Sequence, residues 1–175
     1  MTRYIALLRG VNVGGITVKS AELAEVFRGL GFADVRTVLA SGNVVFDAPS
    51  SGRAGLKRRI EAALAEAFGY DAWIVLTTAD QVRRVIEAFP FDAADPERQP
   101  WVVFGSDQAA LDELEEAAGG MDPDVDPIAR GDGVVYWNPV KGTTVGTPFA
   151  KLLAKARFKP TTTNRNIRTL EKLVA

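Results

Sequence analysis

Val35-Arg-Thr-Val-Leu-Ala-Ser-Gly-Asn-Val-Val-Phe46 reads as two strands joined by a turn, with no room for a helix between them. Val35–Leu39 and Val44–Phe46 supply the β-branched and aromatic residues, and Ser41-Gly42-Asn43 is the predicted tight turn. Upstream, Ser20 is the expected N-cap of a helix whose apolar face is Leu23, Val26, Phe27 and Leu30, stopped by Gly31. Downstream, Leu56–Phe68 carries Leu56, Ile60, Ala63, Leu64 and Phe68 at helical spacing, with Gly69 past its end. Tyr4–Leu8 and Trp73–Leu76 are strands on the outer sides of these helices.

A hairpin flanked first by helices and then by strands is the split β-α-β, or ferredoxin-like, order. The expected class is therefore α+β. Residues 1–80 form a ferredoxin-like β-α-β-β-α-β half, packed with a second, smaller α/β half over residues 81–175 as one compact unit. In the second half, Asp80 caps a helix over Val82, Val85, Ile86 and Phe89, and Trp101–Phe104 is a strand. Asp107 opens an acidic helix through Leu111 and Leu114. Ile128–Arg130 and Val134–Trp137 flank the hairpin turn Gly131-Asp132-Gly133. Phe149–Ala156 and Ile167–Val174 are closing helices, and Pro90–Pro100 is an exposed crossover. A degenerate duplication stays open, because no repeated motif establishes it.

The order of elements has a consequence for function. If strand one runs upward, the loop after it and the turn between strands two and three lie at the same end. Arg9–Gly15 and Ser41–Asn43 are therefore expected to be neighbours.

Composition excludes much chemistry. The 175 residues contain no cysteine and no histidine. That removes disulfides, thiolate nucleophiles, zinc–thiolate sites, imidazole bases and the Ser-His-Asp triad. No cofactor and no metal is expected. The amino-terminal apolar run is too short for a signal peptide, and no stretch approaches the ~20 apolar residues of a membrane span, so the expected location is cytoplasmic. Net charge is −1, unevenly spread: +1 over residues 1–80, −9 over 81–138 and +7 over 139–175. The basic end is a footprint for an anionic partner or a match for the acidic middle.

Three constellations could carry function. In Arg9-Gly10-Val11-Asn12-Val13-Gly14-Gly15, glycines after a strand can turn N–H groups inward as an anion nest. The spacing Gly10-x4-Gly15 imitates a phosphate loop, but Ile16 stands where that loop needs lysine. A tight strand-to-helix turn explains the glycines equally well. Arg9 and Asn12 serve a ligand, or alternatively a carboxylate partner and the loop backbone. Ser41-Gly42-Asn43 is turn chemistry that also adds donors beside the first loop. Lys151, Lys155, Arg157 and Lys159, then Thr161-Thr162-Thr163-Asn164-Arg165-Asn166, lead into the final helix as an anion site or as an elaborate cap. Asp122, Asp124 and Asp126 alternate in a loop that reads as solvated rather than as a Ca²⁺ site.

LLRGVNVGG near the start, ASGNVVF thirty residues on and a closing T-x-R-N resemble the bacterial DUF1697 family, over essentially the whole chain. The resemblance implies Arg9, Gly10, Asn12, Gly14, Gly15, Ser41, Gly42, Asn43, Thr163, Arg165 and Asn166 as signature residues. Lys151 keeps the lysine of a Ser-Lys-Leu element whose serine is here Ala150, and Ile167 replaces a tryptophan after Arg-Asn. The family brings no activity with it.

The leading expectation is a binding module for an anionic or phosphate-bearing ligand, either a nucleotide or nucleic acid. Tyr4, Trp73 and Trp137 fall on predicted strands, where they could stack on bases, but no RRM-type aromatic motif is present. The alternatives are a metal-independent enzyme using Arg, Lys and Asn electrostatics, and a structural or partner-binding protein in which the same residues lock the fold.

Overall fold

The computed structural model describes residues 1–11, 16–49 and 52–175. It divides into two compact units, Met1–Val82 with Lys172–Ala175, and Arg83–Glu171.

The first unit contains β1 (Thr2–Leu8), α1 (Ser20–Gly29), β2 (Ala33–Thr37), β3 (Asn43–Ala48), α2 (Arg53–Phe68) and β4 (Ile74–Thr78). Its sheet has the order β2-β3-β1-β4, antiparallel throughout. Tyr4, Ala6 and Leu8 alternate onto one face, beside Val44 and Phe46, and Leu23, Phe27, Leu56, Ile60 and Leu64 from the two helices join that core. Ile5, Leu7 and Val45 on the opposite face are equally withdrawn from solvent. The central strands therefore read as continuous apolar runs rather than as alternation.

Three local expectations need correction. Asp80 does not cap the helix Ala79–Glu87 but lies inside its first turn, and Thr78 Oγ1 accepts the Gln81 N–H at 3.2 Å. Ser20 does not cap α1: Lys19 is the N-cap residue, and no side chain accepts a bond there. The β2–β3 turn is also wider than Ser41–Asn43. It begins at Val38, whose N–H donates to the Asn43 carbonyl (3.0 Å), and Leu39 takes a left-handed φ of 59°. Gly31 (φ 89°) does end α1, its N–H donating to the Arg28 carbonyl.

The second unit follows from α3 (Ala79–Glu87), which spans the boundary between the two. It contains β5 (Trp101–Gly105), α4 (Gln108–Ala118), β6 (Ile128–Arg130), β7 (Val134–Trp137), α5 (Pro148–Leu153), a 3-10 turn (Lys159–Thr161), β8 (Thr162–Asn166) and α6 (Ile167–Val174), whose end belongs to the first unit. The sheet order β6-β7-β5-β8 repeats that of the first sheet, strand for strand. The halves are thus two β-α-β-β-α-β units of the same topology. The repetition was hidden because β8, Thr-Thr-Asn-Arg-Asn, carries no apolar residue.

Val103, Leu111, Leu114, Val135, Trp137, Phe149 and Phe158 build the second core. Asp107 caps α4 as expected, accepting the Ala110 N–H at 2.8 Å. Asp126 departs from expectation. It is 2% exposed and accepts the Trp137 indole N–H (2.8 Å) and the Phe149 N–H (3.1 Å). It is a buried strut between β7 and α5, not part of a solvated loop. Among the described residues no group of three acidic side chains could hold a metal ion, and no helix is long and apolar enough to cross a membrane.

Candidate functional site

For residues 9–11, the described part of the first loop, the neighbourhood anticipated from strand order is present in the first unit. Leu8 donates its N–H to the Gly42 carbonyl (2.8 Å), and the Arg9 N–H donates to the Trp73 carbonyl (3.2 Å). The end of β1 is thereby fixed between the β2–β3 turn and the start of β4. Gly42 has φ +82°, and a Cβ there would lie 2.7 Å from Val11 Cγ2 and 2.8 Å from Leu8 Cβ. Glycine is required by the approach of the two segments as well as by the turn.

Arg9 and Gly10 are half-buried at this junction, and Gly10 has φ 72°. Burial pulls the Arg9 guanidinium below its ordinary pKa, because removing water disfavours the charged form. Asn12, Gly14 and Gly15 lie outside the described residues.

The turn residues face inward to one another. Asn43 is fully buried, and its Nδ2 donates to the Val38 carbonyl and to Ser41 Oγ, both at 2.7 Å. Ser41 and Asn43 thus brace the turn, which is the chemistry their residue types suggest.

In the second unit the basic and hydroxyl-rich constellation is dispersed. Thr163 and Arg165 project from the same face of β8, and Arg165 Nη1 donates to Thr163 Oγ1 (2.7 Å) and to the Asn164 carbonyl (2.9 Å). Arg165 is only 4% exposed, and burial lowers its pKa to about 10. It remains a cation at neutral pH, held by dipoles along its own strand. Asn166 is the amide that caps α6, its Oδ1 accepting the Arg168 N–H at 3.0 Å. Lys151 stands exposed on α5, with no side-chain hydrogen bond or ion pair among the described residues. Arg157 reaches Glu113 at 3.4 Å, so the basic end partly pairs with the acidic middle.

Two further points were not legible in advance. The expected stacking surface is not formed: Tyr4 (2% exposed) and Trp137 (1%) lie in the cores, and Trp73 is half-buried with Lys57 Nζ 5.7 Å above its ring. A cleft of about 180 Å³ gathers Arg98, Lys141, Asn166 and Arg168, of which only Asn166 belongs to a recognised motif.

A search of curated proteins finds no match to this chain. Among solved structures, the chain is similar to the conserved bacterial protein SP0830 from Streptococcus pneumoniae, at 24% identity and a TM-score of 0.83. The likeness covers 99% of this chain and 97% of that one, and at this identity it speaks to the fold. The DUF1697 family model, described as a protein of unknown function, matches residues 1–136. That span holds both motifs of the first unit and stops short of Thr163, Arg165 and Asn166. With more than three quarters of its length matched, the chain belongs to the DUF1697 family.

Proposed function

We infer that the protein is a binding module for a small phosphate-bearing anion, seated where the loop after β1 meets the β2–β3 turn. The observation that carries this reading is Arg9. A guanidinium half-withdrawn from water, at the joint of two loops whose close approach demands glycine, has lost part of its hydration. It therefore gains more from an incoming anion than a solvated arginine would. Gly10 and Gly42 contribute backbone geometry. Ser41 and Asn43 hold the turn in shape, so their contribution is indirect. A small ligand is favoured over nucleic acid because, of the aromatic residues that would stack on bases, Tyr4 and Trp137 are buried and Trp73 is half-buried.

Arg165 supports a second role for the remaining motif. Its bonds to Thr163 and Asn164 run within β8, which suits a lock on a polar strand.

The test is a thermal-shift panel of nucleoside diphosphates, sugar phosphates and dicarboxylates on the parent protein and on Arg9→Gln. A phosphate-bearing compound at about 100 times its Kd raises stability by about 2.7 kcal/mol, or roughly 5–10 °C for a chain of this size. The shift should shrink in Arg9→Gln while that variant keeps its own melting transition. A panel without any shift, or a shift undiminished by Arg9→Gln, overturns the reading.

A further inference from the structure

The second unit holds a cleft of about 180 Å³ at the end of its sheet where β5 begins and β8 ends. Its wall is assembled from three separated stretches: the crossover before β5 (Asp95, Arg98, Gln99), the loop after β7 (Lys141), and the junction of β8 with α6 (Asn166, Arg168). Backbone bonds fix these stretches to one another. The Gln99 N–H donates to the Pro139 carbonyl (3.0 Å), the Lys141 N–H to Glu97 (2.8 Å) and the Ile167 N–H to Pro100 (2.9 Å). The cleft is therefore part of the framework and not a gap between loose side chains.

Its electrostatics are one-sided. Arg98 is anchored by the carbonyls of Asn138 (3.1 Å) and Asp124 (3.2 Å), and Arg168 by that of Ala93 (2.9 Å). Carbonyl oxygens orient a guanidinium without cancelling its charge. Neither arginine nor Lys141 makes an ion pair among the described residues. Asp95 is the lone carboxylate in the wall, and its Oδ1 already accepts the Glu97 N–H at 2.9 Å. Three cations against one carboxylate leave the cleft with a surplus of positive charge facing solvent. Elsewhere in the same unit an arginine in reach of acids is paired, as Arg130 is with Asp112 at 2.8 Å.

We propose that this cleft is a site for a phosphate-monoester group, bound by Arg98, Lys141 and Arg168. Two guanidinium forks and an ammonium supply the several charge-assisted donors that a tetrahedral dianion accepts, more than a carboxylate can use. The volume sets the size of what enters. Pockets that enclose whole drug-sized ligands span ~300–1,000 Å³, so this cleft takes the phosphoryl group and leaves the rest of the molecule in solvent. The N-terminus of α6 adds little, because Asn166 already occupies the Arg168 N–H. The proposal is independent of the reading of Arg9, since no residue is shared.

The experiment is a titration followed by amide NMR at constant ionic strength. Inorganic phosphate and glycerol phosphate serve as probes, with acetate and chloride as controls. Saturable shifts are expected at Gln99, Lys141, Ile167 and Arg168, at a Kd of about 1 mM or tighter. The double variant Lys141→Gln/Arg168→Gln should weaken binding roughly ten-fold or more. Asp95→Asn keeps the acceptor for Glu97 and removes the opposing charge, so it should tighten binding. Arg9→Gln should leave these shifts unaltered. Glycerol phosphate binding as well as inorganic phosphate supports a monoester site, whereas binding of the free ion alone overturns the monoester assignment. No saturable shift in the parent protein, equal shifts with acetate, or unchanged affinity in the double variant overturns the site altogether. Loss of the cleft shifts in Arg9→Gln alone would overturn it too, and leave the Arg9 reading standing.

Discussion

Replacing Asp126 by alanine should be among the most damaging single changes in the second unit. The carboxylate is buried and accepts two hydrogen bonds, from the Trp137 indole (2.8 Å) and the Phe149 N–H (3.1 Å). Both donors belong to residues in the core, Trp137 being 1% and Phe149 0% exposed. Alanine would leave each donor buried without a partner, at about 1–3 kcal/mol apiece. Removing a buried charge returns part of that loss, because the carboxylate itself was desolvated on folding. A net loss of about 3 kcal/mol follows, equivalent to roughly 6–12 °C in Tm for a chain of this length. Urea unfolding followed by tryptophan fluorescence and by far-UV circular dichroism measures it. Asp126→Asn separates the causes. It keeps one acceptor oxygen but turns an NH2 group toward one of the two donors, so it should lose stability as well, by less than alanine. A loss below about 1 kcal/mol for Asp126→Ala, or an Asp126→Asn protein as stable as the parent, would refute the strut. Added Ca²⁺ should not change the melting of either protein.

Gly42→Ala combines a left-handed φ with a Cβ 2.7 Å from Val11 and 2.8 Å from Leu8, and should cost about 2–5 kcal/mol in urea unfolding; a cost under about 1 kcal/mol would show that the two loops part easily. Arg36 donates through Nη2 to the carbonyls of Leu173 (3.0 Å), Lys172 and Ala175 (both 3.4 Å). Arg36→Ala should speed hydrogen exchange in the last turn of α6 and cost about 1 kcal/mol, and unchanged exchange there would remove this capping role. The side-chain hydrogen bond from Arg3 holds the Asp47 carboxyl below its ordinary pKa. Its contribution is therefore present above the ordinary carboxylate range and is lost as pH falls through the depressed folded-state value. Because Arg3 is largely exposed, the effect on stability stays under about 1 kcal/mol, and an NMR titration of Asp47 that moves up in Arg3→Gln is the sensitive measurement.

Arg9 and Arg165 separate the two kinds of information a motif carries. Both are arginines in glycine- or threonine-rich surroundings, and each lies in a stretch that reads as an anion site. Arg9 lies half-buried where two loops meet, a location that follows from the order of strands alone. Arg165 lies on a strand that no pattern announced, with bonds to its own strand neighbours. The same limitation hid the cleft. Arg98, Lys141 and Arg168 are unremarkable surface cations in the chain, and only the pairing of β5 with β8 and the backbone contacts around Gln99 and Lys141 bring them to one wall.

Local periodicity and turn chemistry by themselves determined the first unit, the hairpin of β6 and β7 and the helices α4 and α6, because apolar spacing and capping residues act within a few positions. Ile128–Arg130, Val134–Trp137 and Ile167–Val174 have the same bounds in the folded protein as in the reading of the chain. Tertiary structure alone decided β8, whose polar residues become a strand only because β5 offers them hydrogen-bond partners, and Asp126, whose carboxylate is buried only because Trp137 and Phe149 converge on it. It likewise decided that Arg98, Lys141 and Arg168 meet no ion-pair partner among the described residues. Desolvation and charge compensation depend on residues far apart in the chain, and no window of sequence contains them.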